Sequence, residues 1–89
     1  MKRFKTLVTS EAYDDVAFHR VIKGVLVQAG DLEFGKKNNL NYGKIGNGKS
    51  GLGTINSEVD YPFNFNKGSV GLARTHKYNT EDSQFFIIL

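Results

Sequence analysis

FHRVIKGVLVQAGD, residues 18–31, decides how this chain is read. Two short runs rich in β-branched and apolar residues flank Lys23-Gly24, a turn signal, and together they predict a β-hairpin. Arg20 and Gln28 nevertheless sit inside those runs. A two-residue loop at Lys23-Gly24 pairs Ile22 with Val25 and sets Arg20 opposite Val27. A three-residue loop, Lys23–Val25, pairs Ile22 with Leu26 and Arg20 with Gln28. Gly24 serves either loop. A one-residue slip changes which face each side chain joins, so the two registers make different surfaces. Only the longer loop brings Arg20 and Gln28 together, with Leu26 beside them, and the pattern alone leaves both open.

Outward from the hairpin, the chain reads as mainly β. Residues 4–13 (FKTLVTSEAY) place Phe4, Leu7 and Val8 at i, i+3 and i+4, the stripe of a short helix ended by Ser10 and the polar residues after it. Asp14-Asp15 turn into a first strand over 16–22, and a second runs over 26–30. Residues 31–53 form a loop rich in Gly, Asn and Lys, long enough in a compact domain to suggest a function. TINSEV and the aromatic DYPFNF then lead to Lys67-Gly68, a turn signal before a strand over 69–73. THKYNTED follows, and then a last strand, SQFFIIL. The expectation is one small antiparallel domain of about four strands with one N-terminal helix. The apolar run FFIIL calls for cover on both faces, and an uncovered apolar edge invites pairing with another chain.

Composition narrows the classes. With 89 residues, 39% hydrophobic and 24% charged, the chain holds one globular domain. Ten glycines against one proline predict turns at the expense of helix. The absence of cysteine rules out a disulfide scaffold and a thiolate zinc site and fits a reducing cytoplasm. The net charge of +3 comes from scattered lysines, which reads as a solvated surface and excludes a nucleic-acid stripe. No 18-residue apolar run or signal-peptide core predicts membrane insertion.

Several motifs point to chemistry the rest of the sequence does not support. Gly43, Gly48, Lys49 and Ser50 fit the phosphate-binding pattern G-x-x-x-x-G-K-S. That loop needs a buried strand before it and a helix N-terminus after it; here NNLNY precedes it, and Gly51 and Gly53 follow. His19 and His76 are too far apart for a local ligand pair, and His19 is expected to be hydrogen-bonded within its strand. Ser10, His19 and Asp14 lack a nucleophile-elbow pattern. Asp14-Asp15, Glu58, Asp60 and Glu81-Asp82 fall in turns, where solvation or local backbone bonding accounts for them. On the last strand Gln84 and Phe86 share a face by the period of two. With Arg20, Gln28 and Leu26 they would make a shallow apolar pocket rimmed by donors.

These stretches resemble the cyclophilin-type peptidyl-prolyl cis-trans isomerases. FHRVIKGVLVQAGD is similar to the family block F-H-R-I/V-I-x-G-F-M-x-Q-G/A-G-D, and GSVGLAR with SQFFI to its second signature. YDDVAFHRV and GNGKSGLGTINSEV fit as well, and the Asp31–Gly46 insertion is like that of some bacterial relatives. The resemblance covers nearly the whole chain and favours the three-residue hairpin loop. It implies isomerase activity on X-Pro bonds in peptides and in unfolded or flexible protein segments. Arg20 matches the catalytic arginine, and Gln28 the glutamine that orients it and the substrate. Leu26 and Phe86 match walls of the proline pocket, and Val25 stands where the family usually has phenylalanine. Ala73 and Arg74 match the segment that anchors the residue before proline, and Gln84 matches the second pocket glutamine. No cofactor or metal is implied, and neither nucleic acid nor membrane is an expected partner.

The chain also departs from the family. Members usually carry two strands before the helix, and more strands, a second helix and three further pocket residues after SQFFI. Lys23 replaces a usual proline, and Ala29 a glycine. The resemblance therefore implies a partial barrel, expected to be a minimal version opening with its own Met-Lys-Arg; a fragment of a longer isomerase is the alternative. Self-association through 83–89 and the helix near Phe4–Val8 is expected to complete it. A proline-peptide binding module of weak or no activity is the competing functional reading.

Overall fold

The computed structural model describes residues 2–57, 66–75 and 77–89; His76, Glu58 and the whole of DYPFNF, Asp60 included, lie outside these. Helix α1 spans Lys2–Thr9. Strands β1 (Phe18–Ile22), β2 (Leu26–Ala29), β3 (Val70–Leu72) and β4 (Phe85–Ile88) form one antiparallel sheet in the order β1-β2-β4-β3. Among the described residues the outer strands β1 and β3 are not paired to each other, so the sheet is open, with no closed barrel. Among the described residues no helix is long and apolar enough to cross a membrane.

The hairpin adopts the three-residue loop. Ile22 pairs with Leu26, Val21 with Val27 and Arg20 with Gln28, and the Val25 N–H donates to the Ile22 carbonyl at 2.9 Å. Beyond Arg20 the register shifts, and Phe18 pairs with Ala29. His19 is thus the extra residue of a β-bulge, which the sequence pattern did not reveal.

Strand alternation gives the sheet two unlike faces. On one, Phe85 packs edge-on against Phe4 of α1 and Tyr13, with ring centroids 5.0 and 5.1 Å away. Leu7 and Ala29 are the buried hydrophobic residues among those described. The helical stripe therefore works largely inside the fold, although Val8 is exposed. The same face continues toward the hairpin tip as one register row, Val21, Val27, Ile87 and Val70. Val21 there is 64% exposed. The opposite face carries Arg20, Gln28, Phe86 and Gly71 in a single row across all four strands.

With so little apolar core, buried polar groups do much of the fastening. Asp31 is fully buried, and its carboxylate accepts N–H bonds from Glu33, Phe34, Gly46 and Gly48 at 2.7–3.0 Å. Burial alone would push its pKa up, but these backbone donors outweigh that and hold it below the ordinary value. Asp82, also buried, accepts from Arg3 Nη1 at 2.6 Å and from the Ser50 N–H and hydroxyl at 2.7 and 2.6 Å. It ties α1 to the long loop and to the start of β4. Lys36 reaches the carbonyls of Ala12 and Asp14, so it is no mere solvated lysine.

Candidate active site

The site grows from the row Arg20–Gln28–Phe86–Gly71. Residues paired across antiparallel strands present neighbouring side chains on one face, so the hairpin register sets Arg20 beside Gln28, and the β2–β4 register sets Gln28 beside Phe86. Gly71 ends the row for a steric reason. A Cβ there would lie 2.5 Å from Cζ of Phe86, so the absence of a side chain lets the Phe86 ring extend over β3. Leu26, one step along β2 on the same face, pairs with Ile22 and Ile88 and extends the apolar surface.

A directed chain of hydrogen bonds runs beside the apolar wall. Arg20 Nη1 donates to Gln28 Oε1 at 3.4 Å, and Gln28 Nε2 donates to Gln84 Oε1 at 3.0 Å. Gln84 Nε2 donates in turn to the Gly46 carbonyl at 2.8 Å. The Ala73 N–H donates to the Gln84 carbonyl at 2.8 Å, which holds the segment after β3 against the start of β4. Gln28, Gln84, Ala73 and Arg74 line one shallow cleft, whose far wall includes Gly46 and Thr80. The Arg74 guanidinium lies 4.4 Å from the Tyr78 ring centroid and donates to the Thr75 carbonyl.

Of the residues expected at the site, Arg20, Gln28, Leu26, Phe86 and Gln84 share one face, and Ala73 and Arg74 border it. Val25 stands apart at the hairpin tip, 49% exposed. What the structure adds is Gly71 and Gly46, a glycine that makes room and a main-chain acceptor. Neither has a side-chain signature, although both fall inside stretches already recognised by motif.

Two expectations need correction, and one rejection gains a physical reason. Glu81 and Asp82 are not solvated turn carboxylates: both are buried, and Glu81 accepts from the Ser57 hydroxyl at 2.7 Å. His19 is not hydrogen-bonded through Nδ1, which is buried without a partner among the described residues; as the extra residue of the bulge it has no cross-strand neighbour in register to supply one. The phosphate-loop look-alike, set aside on its flanking sequence, is filled from within: the Gly48 N–H binds Asp31, and the Ser50 N–H and hydroxyl bind Asp82. Amides already bonded to carboxylates offer nothing to a phosphate.

Comparison with known proteins identifies the family. The family model described as cyclophilin type peptidyl-prolyl cis-trans isomerase/CLD matches residues 1–89. A probable peptidyl-prolyl cis-trans isomerase of Brucella abortus (strain 2308) is 39% identical over 87 residues, which are 97% of this chain and 44% of that protein. Peptidyl-prolyl cis-trans isomerase A of Dickeya dadantii (strain 3937) is 31% identical, over 98% of this chain and 40% of its own length. The crystal structure of a Cryptosporidium parvum cyclophilin type isomerase, in the presence of the dipeptide Ala-Pro, superposes with a TM-score of 0.75 at 30% identity; the match covers 98% of this chain and 51% of that one. The chain thus spans about half the length of these relatives or less. On motif, sheet register and similarity together, it belongs to the cyclophilin-type peptidyl-prolyl cis-trans isomerase family.

Proposed function

We propose that the chain catalyses cis-trans isomerisation of X-Pro bonds in peptides and in flexible segments of client proteins. The observation that carries this reading is the cross-strand row that brings a guanidinium, an amide and an aromatic wall onto one open face. Resonance keeps the X-Pro amide planar, with a rotation barrier of about 18–20 kcal/mol, and the uncatalysed bond turns over in tens to hundreds of seconds. As the bond twists, the proline nitrogen regains its lone pair. In this reading Arg20 donates to that nitrogen, Gln28 orients Arg20 and the substrate, and Phe86 and Leu26 hold the proline ring. Gln84, Ala73 and Arg74 contact the chain before the proline, and Val25 contributes its edge at the hairpin tip. A donor that binds the twisted amide better than the planar one lowers the barrier, tenfold in rate for each 1.36 kcal/mol. Bond rotation alone needs no covalent intermediate, net proton transfer or cofactor.

Proline-peptide exchange measured by NMR tests this. Arg20→Ala is expected to slow catalysed exchange on the order of 10²-fold, as loss of one transition-state donor does elsewhere. An Arg20→Ala variant as fast as the parent would falsify the role. Peptide binding by the parent without faster exchange would favour the competing reading, a proline-peptide binding module.

The same proposal includes a homo-oligomer and a cytoplasmic setting. What supports association is the apolar row Val21–Val27–Ile87–Val70, which runs into the C-terminal strand and leaves Val21 and Leu89 substantially exposed. The helix contributes less than the sequence implies, because Leu7 is buried and Phe4 stacks within the core. Light scattering at micromolar concentration is expected to give more than one chain per particle; a strictly monomeric species would sink this part.

A further inference from the structure

The polarity of the amide chain at the site is set by a group outside it. A main-chain carbonyl only accepts, so the Gly46 oxygen fixes which end of the Gln84 amide faces it: Nε2, at 2.8 Å. Gln84 then turns Oε1 toward Gln28, where only a donor fits, and Gln28 answers with Nε2 at 3.0 Å. Gln28 in turn presents Oε1 to β1, the end that attracts a guanidinium. Every orientation follows from the first.

Gly46 is itself pinned on both sides. Its own N–H and that of Gly48 donate to the same oxygen of Asp31, Oδ2, at 2.7 and 3.0 Å, and so bracket the intervening peptides. The other oxygen, Oδ1, accepts from Glu33 and Phe34 at 3.0 and 2.8 Å. Asp31 has no exposed surface. We infer that Asp31 is a positioning residue for Arg20: its buried carboxylate fixes the Gly46 peptide, and Gly46, Gln84 and Gln28 pass that orientation to the guanidinium. The last link, at 3.4 Å and exposed, is the longest, so Arg20 is steered without being clamped. The consequence for rate rests on the isomerase reading; the orientation of the amides does not.

Asp31→Asn tests the relay in the full chain. Asparagine keeps one acceptor oxygen for Glu33 and Phe34 but turns an NH2 toward the N–H groups of Gly46 and Gly48. With Gly46 released, the Gln84 amide is free to flip and Gln28 follows. Side-chain NMR signals of Gln84, Gln28 and Arg20 are expected to move while those of Phe4, Tyr13 and Phe85 stay. Catalysed exchange should fall about tenfold, by more than peptide affinity falls, the pattern of a misaimed group. Adding Gln84→Glu should restore the Gln28 signal, because a carboxylate accepts from Gln28 whichever way it turns. A folded Asp31→Asn whose glutamine and Arg20 signals match the parent overturns the inference, as does absence of rescue. If Asp31→Asn does not fold, the parent decides. Protected, dispersed NH2 protons on Gln84 and Gln28 are then expected, and averaged, freely exchanging ones overturn the relay. A parent without catalysed exchange removes the isomerase reading, while the NMR signals still decide the relay.

Discussion

The clamp around Asp31 and Asp82 and the row around Arg20 are both built from polar side chains, and they are held in opposite ways. In the clamp, buried carboxylates accept charge-assisted bonds of 2.6–3.0 Å from backbone amides, Ser50 and Arg3. In the row, bonds between uncharged amides lead to one 3.4 Å link at an exposed arginine. Charge-assisted bonds are roughly twice as strong as neutral ones, and a buried donor that loses its partner costs about 1–3 kcal/mol. The contrast assigns the clamp to stability and, in the proposed reading, leaves the row free to work on a ligand. Rigid support beneath a loosely held cation suits the proposed reaction, in which the donor has to follow a rotating bond.

The sharpest way to break the contrast is Gly48→Ala. A methyl at 48 would sit 1.8 Å from Asp31 Oδ1 and 2.7 Å from Glu33 Cβ. The carboxylate cannot yield without giving up its amides, so the overlap has to open the clamp. A loss of about 3 kcal/mol is expected from overpacking together with unsatisfied donors, read as a large drop in the urea midpoint. A midpoint within error of the parent would mean that the clamp does not carry stability.

Tyr13→Phe is a smaller lesion, placed where the clamp meets the aromatic core. The Tyr13 hydroxyl donates to the Ser83 carbonyl. Its pKa is pushed up to about 12 by burial and by the charge of Asp82, against an opposing pull from Arg3. A raised folded-state pKa leaves stability intact below the unfolded value near 10 and removes it as pH climbs toward 12. At neutral pH the variant should lose about 1.5 kcal/mol with the hydrogen bond. Above pH 10 it should lack that part of the parent's alkaline decline. Parallel alkaline slopes for parent and variant would show that Tyr13 is not the titrating group. Asp31 acts at the other end of the scale: its lowered pKa gives stability that is present above the ordinary carboxylate range and lost as acid protonates it.

The same contrast explains what was legible in the sequence. The row was readable because strand alternation and hairpin register are written in side-chain identities; given the motif match, Arg20, Gln28 and Phe86 had to share a face. The clamp was not. Four of the bonds to Asp31 come from backbone amides, two of them from Gly46 and Gly48, 15 and 17 residues away. An amide N–H has no letter of its own. Gly48 and Ser50 showed as a false phosphate loop inside a stretch that fits the family, and neither pattern names a buried carboxylate, since a turn that gathers N–H groups serves a carboxylate as well as a phosphate. The bulge at His19 was invisible for a related reason: one extra residue changes the register without changing composition.

Gly71→Ala sharpens the contrast from the side of the row. The added methyl would meet the far end of the Phe86 ring at 2.5 Å, and that ring, unlike the clamped carboxylate, can turn away. The cost in stability is therefore expected at the low end for overpacking, about 1 kcal/mol. Function should respond differently. If Phe86 is the wall against which proline rests, turning it aside removes apolar contact with the ligand, and about 1 kcal/mol of lost contact weakens binding roughly fivefold. The pair of measurements is a urea midpoint and an X-Pro peptide titration on the same variant. A nearly unchanged midpoint with weakened binding is what a site held apart from its scaffold requires. Unchanged binding would move the proline wall away from Phe86, leaving Leu26 with Ile22 and Ile88 as the remaining apolar surface on that face.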